Sequence, residues 1–220
     1  MSSDKRHILE VIPRGSGRVL DLGGNKGTLR GSLQELGYHY INIDCKRFSY
    51  LEPTLIGDAH CLCFKDETFT LVVSKCTFEH FSEPWKVVGE LRRILKENGR
   101  CIIWVPFMHP FHGDDYYRYT PLGIRHMFRD FKIISIESPN GVFSVLATAA
   151  SEAMKRVGLA RLGSMAVPVA QRLDRLVARG RKTPLSYAAA YRVVMQKVAS
   201  ASCFSETGSQ ARHLREELVT

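Results

Sequence analysis

An acid and three glycines stand where an apolar stretch ends near the start of the chain. Residues 19–27 carry Asp21 within an apolar run, followed by Gly23, Gly24 and Gly27. A strand that runs into a glycine-rich turn brings backbone N–H groups and a helix N-terminus close to a ligand. Glycine suits such a turn because it allows positive φ and a close approach to the backbone. The pattern predicts a binding turn, and a tight strand-to-helix connection is the alternative.

A second acid favours the binding interpretation. Asp44 directly follows the second predicted strand, 38–43, and lies roughly 20 residues beyond the glycine turn. An acid in that position accepts hydrogen bonds from both ribose hydroxyls of a nucleoside. A solvated turn residue is the alternative for Asp44.

Histidines and acids crowd the loop over 106–119. Its titratable side chains include His109, His112, Asp114, Asp115, Tyr116, Tyr117 and Arg118. A histidine near an aspartate is suited to act as an oriented base. We therefore expect His112, oriented by Asp114 or Asp115, to deprotonate an acceptor, with His109 as a further catalytic candidate. A loop held by its own hydrogen bonds is the alternative. We expect no metal, because His109, His112 and Asp114 supply only three ligands.

Strands and helices alternate along most of the chain. Strands are predicted at 18–22, 38–43, 54–56, 70–74, 101–105, 132–136 and 191–194. Helices are predicted at 28–36 and 84–96 and from Pro121, and Trp85 is expected on the inner face of the second. This alternation indicates βαβ units. The expected fold is α/β, with a seven-stranded, mostly parallel sheet, helices on both faces and an antiparallel last strand.

Positive charge is concentrated in the last third of the chain. The formal net charge is +9, and residues 151–220 hold 12 Lys and Arg against 5 Asp and Glu. Two amphipathic helices with interspersed arginines are predicted within 142–182, which is typical of contact with an anionic membrane surface. A lid over the substrate pocket and a homodimer face are the alternatives. Nucleic acid is disfavoured because few aromatic residues are available there for stacking.

The length of 220 residues fits one domain with an appendage. We expect a core over 1–140 plus 184–198, a basic helical insertion or lid over 141–183 and a flexible tail over 199–220. The six cysteines include no CxxC pair, and no secretory signal or apolar run of membrane-spanning length is present. This composition indicates a cytoplasmic protein with reduced thiols.

Four stretches resemble the class I S-adenosylmethionine-dependent methyltransferases, and within them the common methyltransferase-domain group. They are residues 19–27, 57–59 with 62–64, 69–74 with Glu79-His80 and Pro84, and 90–100. The resemblance implies a Rossmann-like fold, S-adenosyl-L-methionine as cofactor and methyl transfer. A further stretch over 106–121 is similar to a bacterial subgroup associated with surface-polysaccharide biosynthesis. The methyltransferase-domain group is typified by small-molecule or lipid-linked acceptors, and we expect O-methylation of a small-molecule or lipid-linked glycan acceptor.

The resemblance also implies roles for individual residues. The implied cofactor-binding residues are Asp21, Gly23, Gly24, Asn25, Gly27, Asp44, Cys45, Asp58, Ala59, Ser74 and Lys75. Asp21 would meet the amino group of the cofactor, Asp44 its ribose and Asp58 its adenine amino group. Ala59 would back the adenine ring, and Ser74 with Lys75 would line the methionine end.

Three residues depart from the family pattern. Asn25 replaces a glycine, Thr70 replaces an acid, and Lys75 brings a positive charge to a position where asparagine is usual. Drift at these positions leaves a non-catalytic interaction protein as an alternative function. An RNA methyltransferase is another alternative, and a nucleotide-dependent oxidoreductase ranks below it because the glycine spacing is irregular.

Overall fold

The strands form one sheet in the order that βαβ connections produce. The computed structural model describes residues 3–46, 54–177 and 185–198. Its strands are β1 (Arg18–Leu22), β2 (His39–Asp44), β3 (Thr54–Ile56), β4 (Phe69–Lys75), β5 (Leu95–Pro106), β6 (Phe131–Glu137) and β7 (Ala190–Lys197). The order across the seven-stranded sheet is β3-β2-β1-β4-β5-β7-β6. β7 runs antiparallel to β5 and β6, and the other pairs are parallel. The predicted fold class is confirmed.

Both faces of the sheet are buried because side chains alternate along each strand. The helices are α1 (Ser3–Leu9), α2 (Arg30–Glu35), α3 (Pro84–Ile94), α4 (Pro121–Met127), α5 (Val142–Arg156) and α6 (Ala160–Val177). In β1, Leu20 packs in a core with α3 and α4, whereas Val19 packs in a second core with α1 and α2. Short 3₁₀ turns cover Phe78–His80 and Leu185–Tyr187. Helices therefore cover both faces, as predicted.

Two local predictions were inaccurate. The helix predicted at 28–36 is confined to Arg30–Glu35, with the start of the segment forming turns. Trp85 was predicted to face inward, but its side chain is 55% exposed. The inner face of α3 is instead formed by Val87, Val88 and Leu91. Trp85 lies next to Pro84 in the first turn, and that turn presents it to solvent.

The carboxyl ends of the central parallel strands meet at one edge of the sheet. In the register of β1 with its neighbours, Asp21 pairs with Asn42 on one side and with Val73 on the other. The next residue, Leu22, pairs with Ser74. The turns that leave β1, β2 and β4 are therefore adjacent, and binding sites of open α/β sheets lie at this edge.

The helices α5 and α6 pack on each other and form what we term the α5–α6 hairpin (142–177). Their backbones approach closely, since a Cβ on Gly163 would lie 2.8 Å from Ser151 Cα. Asp174 of α6 is buried and accepts hydrogen bonds from the backbone N–H groups of Gly141, Phe143 and Ser144. It also accepts one from the Ser144 hydroxyl. One acid of α6 thus caps the first turn of α5.

The α5–α6 hairpin leaves much of its apolar surface exposed. The exposed apolar side chains are Val142, Phe143, Leu146, Val157, Leu159, Leu162, Met165, Val169, Leu173, Leu176 and Val177. Among the helices of the described residues, none has both the length and the apolar character needed to cross a bilayer. The remainder of the predicted insertion, 178–183, and the predicted tail, 199–220, lie outside the described residues.

Candidate functional site

A buried carboxylate lies at the carboxyl end of β1. Asp21 is 2% exposed, and the Tyr40 hydroxyl donates a 2.6 Å hydrogen bond to its Oδ2. Burial raises the pKa of Asp21 to about 6, while the Tyr40 hydrogen bond and the charge of Lys75 act in the opposite direction. A cationic ligand placed beside this group would stabilise its ionised form.

The glycine turn is shaped by close contacts. Gly23 and Gly27 have φ values of 69° and 67°, and Asn25 has 51°, so Asn25 adopts the left-handed conformation in place of the family's glycine. A Cβ on Gly24 would lie 2.3 Å from Asn42 Oδ1 and 2.6 Å from the Asp21 carboxylate. A larger residue at Gly24 would therefore displace the polar side chains beneath the turn.

Two hydrogen bonds join the carboxyl end of β2 to the glycine turn. The backbone N–H of Asn25 donates to Asp44 Oδ2 at 3.0 Å, and Asn42 Nδ2 donates to the Asn25 carbonyl at 3.0 Å. Cys45 follows Asp44 and is exposed. The predicted group of Asp21, the turn and Asp44 is thus brought together at the carboxyl ends of β1 and β2.

Asp58 and Ala59 lie on the connection after β3. Asp58 Oδ1 accepts the backbone N–H of His60 at 2.9 Å and contacts His60 Nδ1 at 2.6 Å. These bonds to His60 hold the pKa of Asp58 below its ordinary value. Ala59 packs partly buried against the core.

An arginine of α3 fixes this connection in place. Arg93 donates to the backbone carbonyls of Leu62 and Phe64 at 2.8 and 2.6 Å. It also pairs with Glu90, whose Oε2 accepts the Leu62 N–H at 2.6 Å. The planar fork of arginine satisfies these acceptors at once. The position of Asp58 therefore depends on two residues of α3.

The end of β4 is held to the end of β1 by a side-chain hydrogen bond. Ser74 is buried, and its hydroxyl donates to the Leu22 carbonyl at 3.0 Å, which joins β4 to the end of β1. Lys75 is half-buried, and its charge lowers the pKa of Asp21. Two residues further on, Thr77 packs on the glycine turn, since a Cβ on Gly23 would lie 2.3 Å from Thr77 Cγ2.

Glu79 and His80 follow shortly after Thr77, and His112 of the loop after β5 lies beside them. We term these three residues the acid–histidine cluster (Glu79, His80 and His112). The Glu79 carboxylate is fully buried, and its Oε1 lies 3.6 Å from His112 Nε2 and 3.8 Å from His80 Nε2. Burial raises the pKa of Glu79 and lowers that of His112. The cluster joins the segment after β4 to the loop after β5.

Hydrogen bonds hold that loop against the 3₁₀ turn. Tyr116 donates its backbone N–H to the Glu79 carbonyl at 2.8 Å, and the Tyr119 hydroxyl donates to the Phe78 carbonyl at 3.0 Å. Arg118 donates to Asp115 Oδ2 at 2.5 Å, and the same oxygen accepts the His112 N–H at 3.0 Å. The loop is therefore cross-linked by its own hydrogen bonds, and it still presents titratable side chains.

The predicted catalytic residues occupy different positions within the loop. Asp115, not Asp114, is the acid beside His112, with Oδ2 at 3.7 Å from Nδ1. Asp114 is exposed, and its backbone carbonyl lies 3.0 Å from His80 Nδ1. His109 is exposed, with its ring centre 6.2 Å from that of His112. His112 is thus the one of the three predicted catalytic residues that belongs to the acid–histidine cluster.

Comparison with known proteins identifies the domain. The sequence profile described as "Methyltransferase domain" matches residues 20–103. A demethylmenaquinone methyltransferase of Thermotoga maritima is 27% identical over 168 residues, which cover 61% of this chain and 72% of that protein. The matched domain and relative make the chain an S-adenosylmethionine-dependent methyltransferase. Its cofactor is S-adenosylmethionine.

Two further comparisons define how far the methyltransferase similarity extends. An uncharacterised protein of Methanocaldococcus jannaschii is 34% identical over 90 residues, and the match covers 40% of each chain. A phosphoethanolamine N-methyltransferase of Haemonchus contortus, solved with S-adenosylmethionine, superposes with a TM-score of 0.60 at 15% identity. That match covers 89% of this chain and 52% of the other, and it concerns the fold.

The residues at the glycine turn fit the methyltransferase cofactor. The cofactor carries an ammonium group, and Asp21 is a buried carboxylate whose pKa is raised because its charge is poorly solvated. The two hydroxyls of a ribose need an acceptor, and Asp44 is half-buried beside the same turn. No phosphate has to be bound, which agrees with acids at both positions.

Four residues of the candidate site were not predicted as site residues from the sequence. Tyr40 and Asn42 alternate with apolar residues of β2, and their parity places them on the face of Asp21 once the register is known. Glu79 was noted only as part of a family stretch, together with His80. Arg93 was noted only as part of another stretch, although a charged residue on the half-buried side of α3 signals a bonded side chain.

Proposed function

We propose that this chain methylates a hydroxyl group of a small-molecule or lipid-linked glycan. In this proposal Asp21 holds the amino group of the cofactor, Asp44 the ribose and Asp58 the adenine amino group. The remaining contacts with the cofactor come from Gly23, Gly24, Asn25, Gly27, Cys45, Ala59, Ser74 and Lys75. Ser74 acts through its bond to the Leu22 carbonyl, which keeps the ends of β1 and β4 together.

One contact carries the proposal: Thr77 packs on Gly23, and Glu79 with His80 follow at once. The turn assigned to the methionine end of the cofactor is therefore adjacent to side chains that can accept a proton. Methyl transfer requires an in-line approach of the nucleophile, so acceptor-activating groups belong beside the methionine end. The acid–histidine cluster meets this requirement better than any other titratable group in the described part of the chain.

The chain has three tasks in this reaction. S-adenosylmethionine supplies a methyl carbon that is activated by its bond to a sulfonium. The protein aligns the acceptor oxygen, excludes water and receives the hydroxyl proton. We assign proton uptake to His112, which Asp115 and the backbone hold in place. His109 and Asp114 are assigned to the rim of the acceptor pocket, since both are exposed.

The acceptor class is supported by the α5–α6 hairpin. Its exposed apolar side chains stand among the exposed Arg156, Arg161, Arg172 and Arg175. Apolar residues with flanking arginines bind the interface of an anionic bilayer through burial and charge together. Contact with the membrane would bring the domain to a lipid-linked acceptor. A second copy of the chain is the competing occupant of this surface.

The acceptor is tested by methyl incorporation. The full chain is incubated with radiolabelled S-adenosylmethionine and, in separate reactions, with a lipid-linked oligosaccharide fraction, bulk RNA and a naphthoquinol. We expect label in the oligosaccharide fraction, and acid hydrolysis should release that label as an O-methylated monosaccharide, whose identification gives the methylated position. Label confined to RNA or to the quinol would contradict the proposed acceptor, and no label with any acceptor would favour the non-catalytic alternative.

Membrane contact is tested with vesicles. We expect sedimentation of the chain with vesicles of phosphatidylcholine and phosphatidylglycerol, weaker sedimentation with phosphatidylcholine alone, and a loss of binding at high salt. Val169→Glu should weaken binding at least about tenfold, since it places a charge on the apolar face. Leu122→Glu, an exposed position on α4, serves as the matched control. A concentration-dependent dimer that Val169→Glu dissociates would assign the surface to a second copy instead.

A further inference from the structure

The acid–histidine cluster has the composition of a metal site. We infer that Glu79, His80 and His112 bind a divalent cation of the zinc class. Their ligand atoms all lie within 4.8 Å of one another. Glu79 Oε1 lies 3.6 Å from His112 Nε2 and 3.8 Å from His80 Nε2. Two ligands of a tetrahedral zinc ion stand about 3.4 Å apart, so the two Glu79–histidine pairs need shifts of only a few tenths of an ångström. Rotation of the half-exposed His112 ring would bring the two histidine nitrogens to the same separation.

The buried carboxylate of Glu79 supplies an independent reason. Neither of its oxygens accepts a hydrogen bond from any residue that the structure describes, and the side chain is fully buried. The hydrogen bonds from Tyr116 and Tyr117 go to the backbone carbonyl of Glu79 and leave the carboxylate unsatisfied. An unpartnered buried carboxylate is costly, and coordination of a cation removes that cost.

Both imidazoles are oriented for coordination through Nε2. A carbonyl only accepts, so the 3.0 Å contact between the Asp114 carbonyl and His80 Nδ1 places the hydrogen on Nδ1. The lone pair of His80 Nε2 is then available on the side of Glu79. On the other ring, Asp115 Oδ2 lies 3.7 Å from His112 Nδ1. Ligating histidines in zinc sites use such outer carbonyl and carboxylate partners.

The three ligands are buried on the side of Glu79 and accessible to solvent on the side of His112. Glu79 is buried, whereas 46% of the His112 side chain is exposed, so a further ligand can approach from solvent. Three protein ligands with an open position are the pattern of catalytic zinc sites, so the lack of a fourth ligand, from which the sequence predicted no metal, does not exclude this kind of site. Two imidazoles and one carboxylate also favour zinc over magnesium, which prefers oxygen ligands and water.

The use of the cation rests on the proposed function, although its binding does not. An acceptor hydroxyl that occupies the open position would lose its proton to solvent more easily, since a bound cation lowers the pKa of the hydroxyl. Its oxygen would then form the new bond to the methyl carbon as the carbon–sulfur bond breaks. In the metal-bound protein His112 is a ligand, and the cation replaces it as the activating group.

Zinc binding by the full chain, freed of metal, is the test. Competition with a chromophoric chelator gives affinity and stoichiometry, and we expect one zinc ion per chain, with Mg²⁺ failing to displace it. Glu79→Gln and His112→Ala should each weaken binding at least about tenfold. His126→Ala, an exposed histidine of α4, should leave binding unchanged. Substitution with Co²⁺ should give visible bands that Glu79→Gln abolishes.

The outcomes separate this inference from the proposed function. Folding of each variant is checked by its circular dichroism and by its affinity for S-adenosylhomocysteine, which requires no cation. Zinc affinity that is equal in Glu79→Gln and the unaltered chain would overturn the inference, as would binding weaker than 100 µM or so in the unaltered chain. Methyl transfer at full rate in the presence of a strong chelator would keep the proposed function and refute the use of the cation.

Discussion

The hydroxyl of Tyr40 donates a 2.6 Å hydrogen bond to the buried carboxylate of Asp21, and this bond joins β2 to the end of β1 beside the glycine turn. The carboxylate is nevertheless poorly solvated, as its raised pKa of about 6 indicates. The chain therefore keeps a charge in a position that costs stability. We attribute that charge to the binding of the ammonium group of the cofactor.

Asp21→Asn is expected to stabilise the protein at pH 7.5 and to weaken the binding of S-adenosylhomocysteine at least about tenfold. The folded-state pKa of about 6 exceeds the ordinary value of 3.8, so the folded chain holds the proton more tightly than the unfolded chain. Stability therefore falls as the pH rises from 3.8 to about 6. The variant avoids this loss, which amounts to at most about 3 kcal/mol. Denaturant titrations at pH 7.5 and calorimetry measure the two effects.

The control for Asp21→Asn is the same comparison of stability at low pH. Near pH 4 the carboxyl group of the folded protein is protonated, so the advantage of the variant should disappear. An equal gain in stability at both values would show that the charge of Asp21 is not its cause.

Gly24→Ala is expected to weaken cofactor binding by an order of magnitude or more and to cost about 1–3 kcal/mol of stability. The added Cβ would meet Asn42 Oδ1 at 2.3 Å and the Asp21 carboxylate at 2.6 Å. Gly31→Ala in α2 is the matched control, because a Cβ there meets nothing within 4 Å. The control should gain about 0.5–1 kcal/mol. Unchanged cofactor affinity in Gly24→Ala would contradict a role of this turn in cofactor binding, and unchanged stability would refute the close packing under the turn.

Arg93→Lys is expected to destabilise the protein by about 2–3 kcal/mol and to reduce cofactor affinity, although the charge is retained. Lysine cannot serve the Leu62 and Phe64 carbonyls and Glu90 together. The adjacent Arg92→Lys provides the control. Loss of stability without any loss of affinity would mean that the connection bearing Asp58 does not contact the cofactor.

Asp174→Ala is expected to loosen the start of α5, because three backbone N–H groups lose their acceptor. The loss of a buried cap costs about 1–2 kcal/mol. Hydrogen exchange should accelerate at Gly141, Phe143 and Ser144, while exchange in β1 and β4 stays slow. Uniform acceleration across the sheet would show instead that the hairpin and the sheet unfold as one unit.

Sequence patterns were sufficient for the sheet and for the glycine turn because both depend on local chemistry. Apolar runs, capping residues and Asp21 before its glycines act within a few residues of chain. Tyr40 and Asn42 became recognisable only with the register of β1 and β2, which is set by tertiary pairing. Likewise, Glu79 meets His112 only because the loop over 106–119 folds back onto the 3₁₀ turn.

The inaccurate orientation of Trp85 has a physical cause as well. A helical pattern identifies an apolar face, but it does not tell whether that face packs on the protein. Trp85 is exposed although it is apolar, and the apolar faces of the α5–α6 hairpin are exposed although their pattern resembles that of a core helix. The small residues Ser151 and Gly163 form the helix contact instead.

The central claim is that the cofactor lies between Asp21, Asp44 and Asp58 with its reacting end toward the acid–histidine cluster. A cocrystal structure with S-adenosylhomocysteine tests it most directly. We predict that its amino group contacts Asp21, its ribose hydroxyls contact Asp44, and its sulfur faces His112 across the acceptor pocket. A ligand bound elsewhere, or one whose sulfur is directed away from Glu79 and His112, would contradict the account.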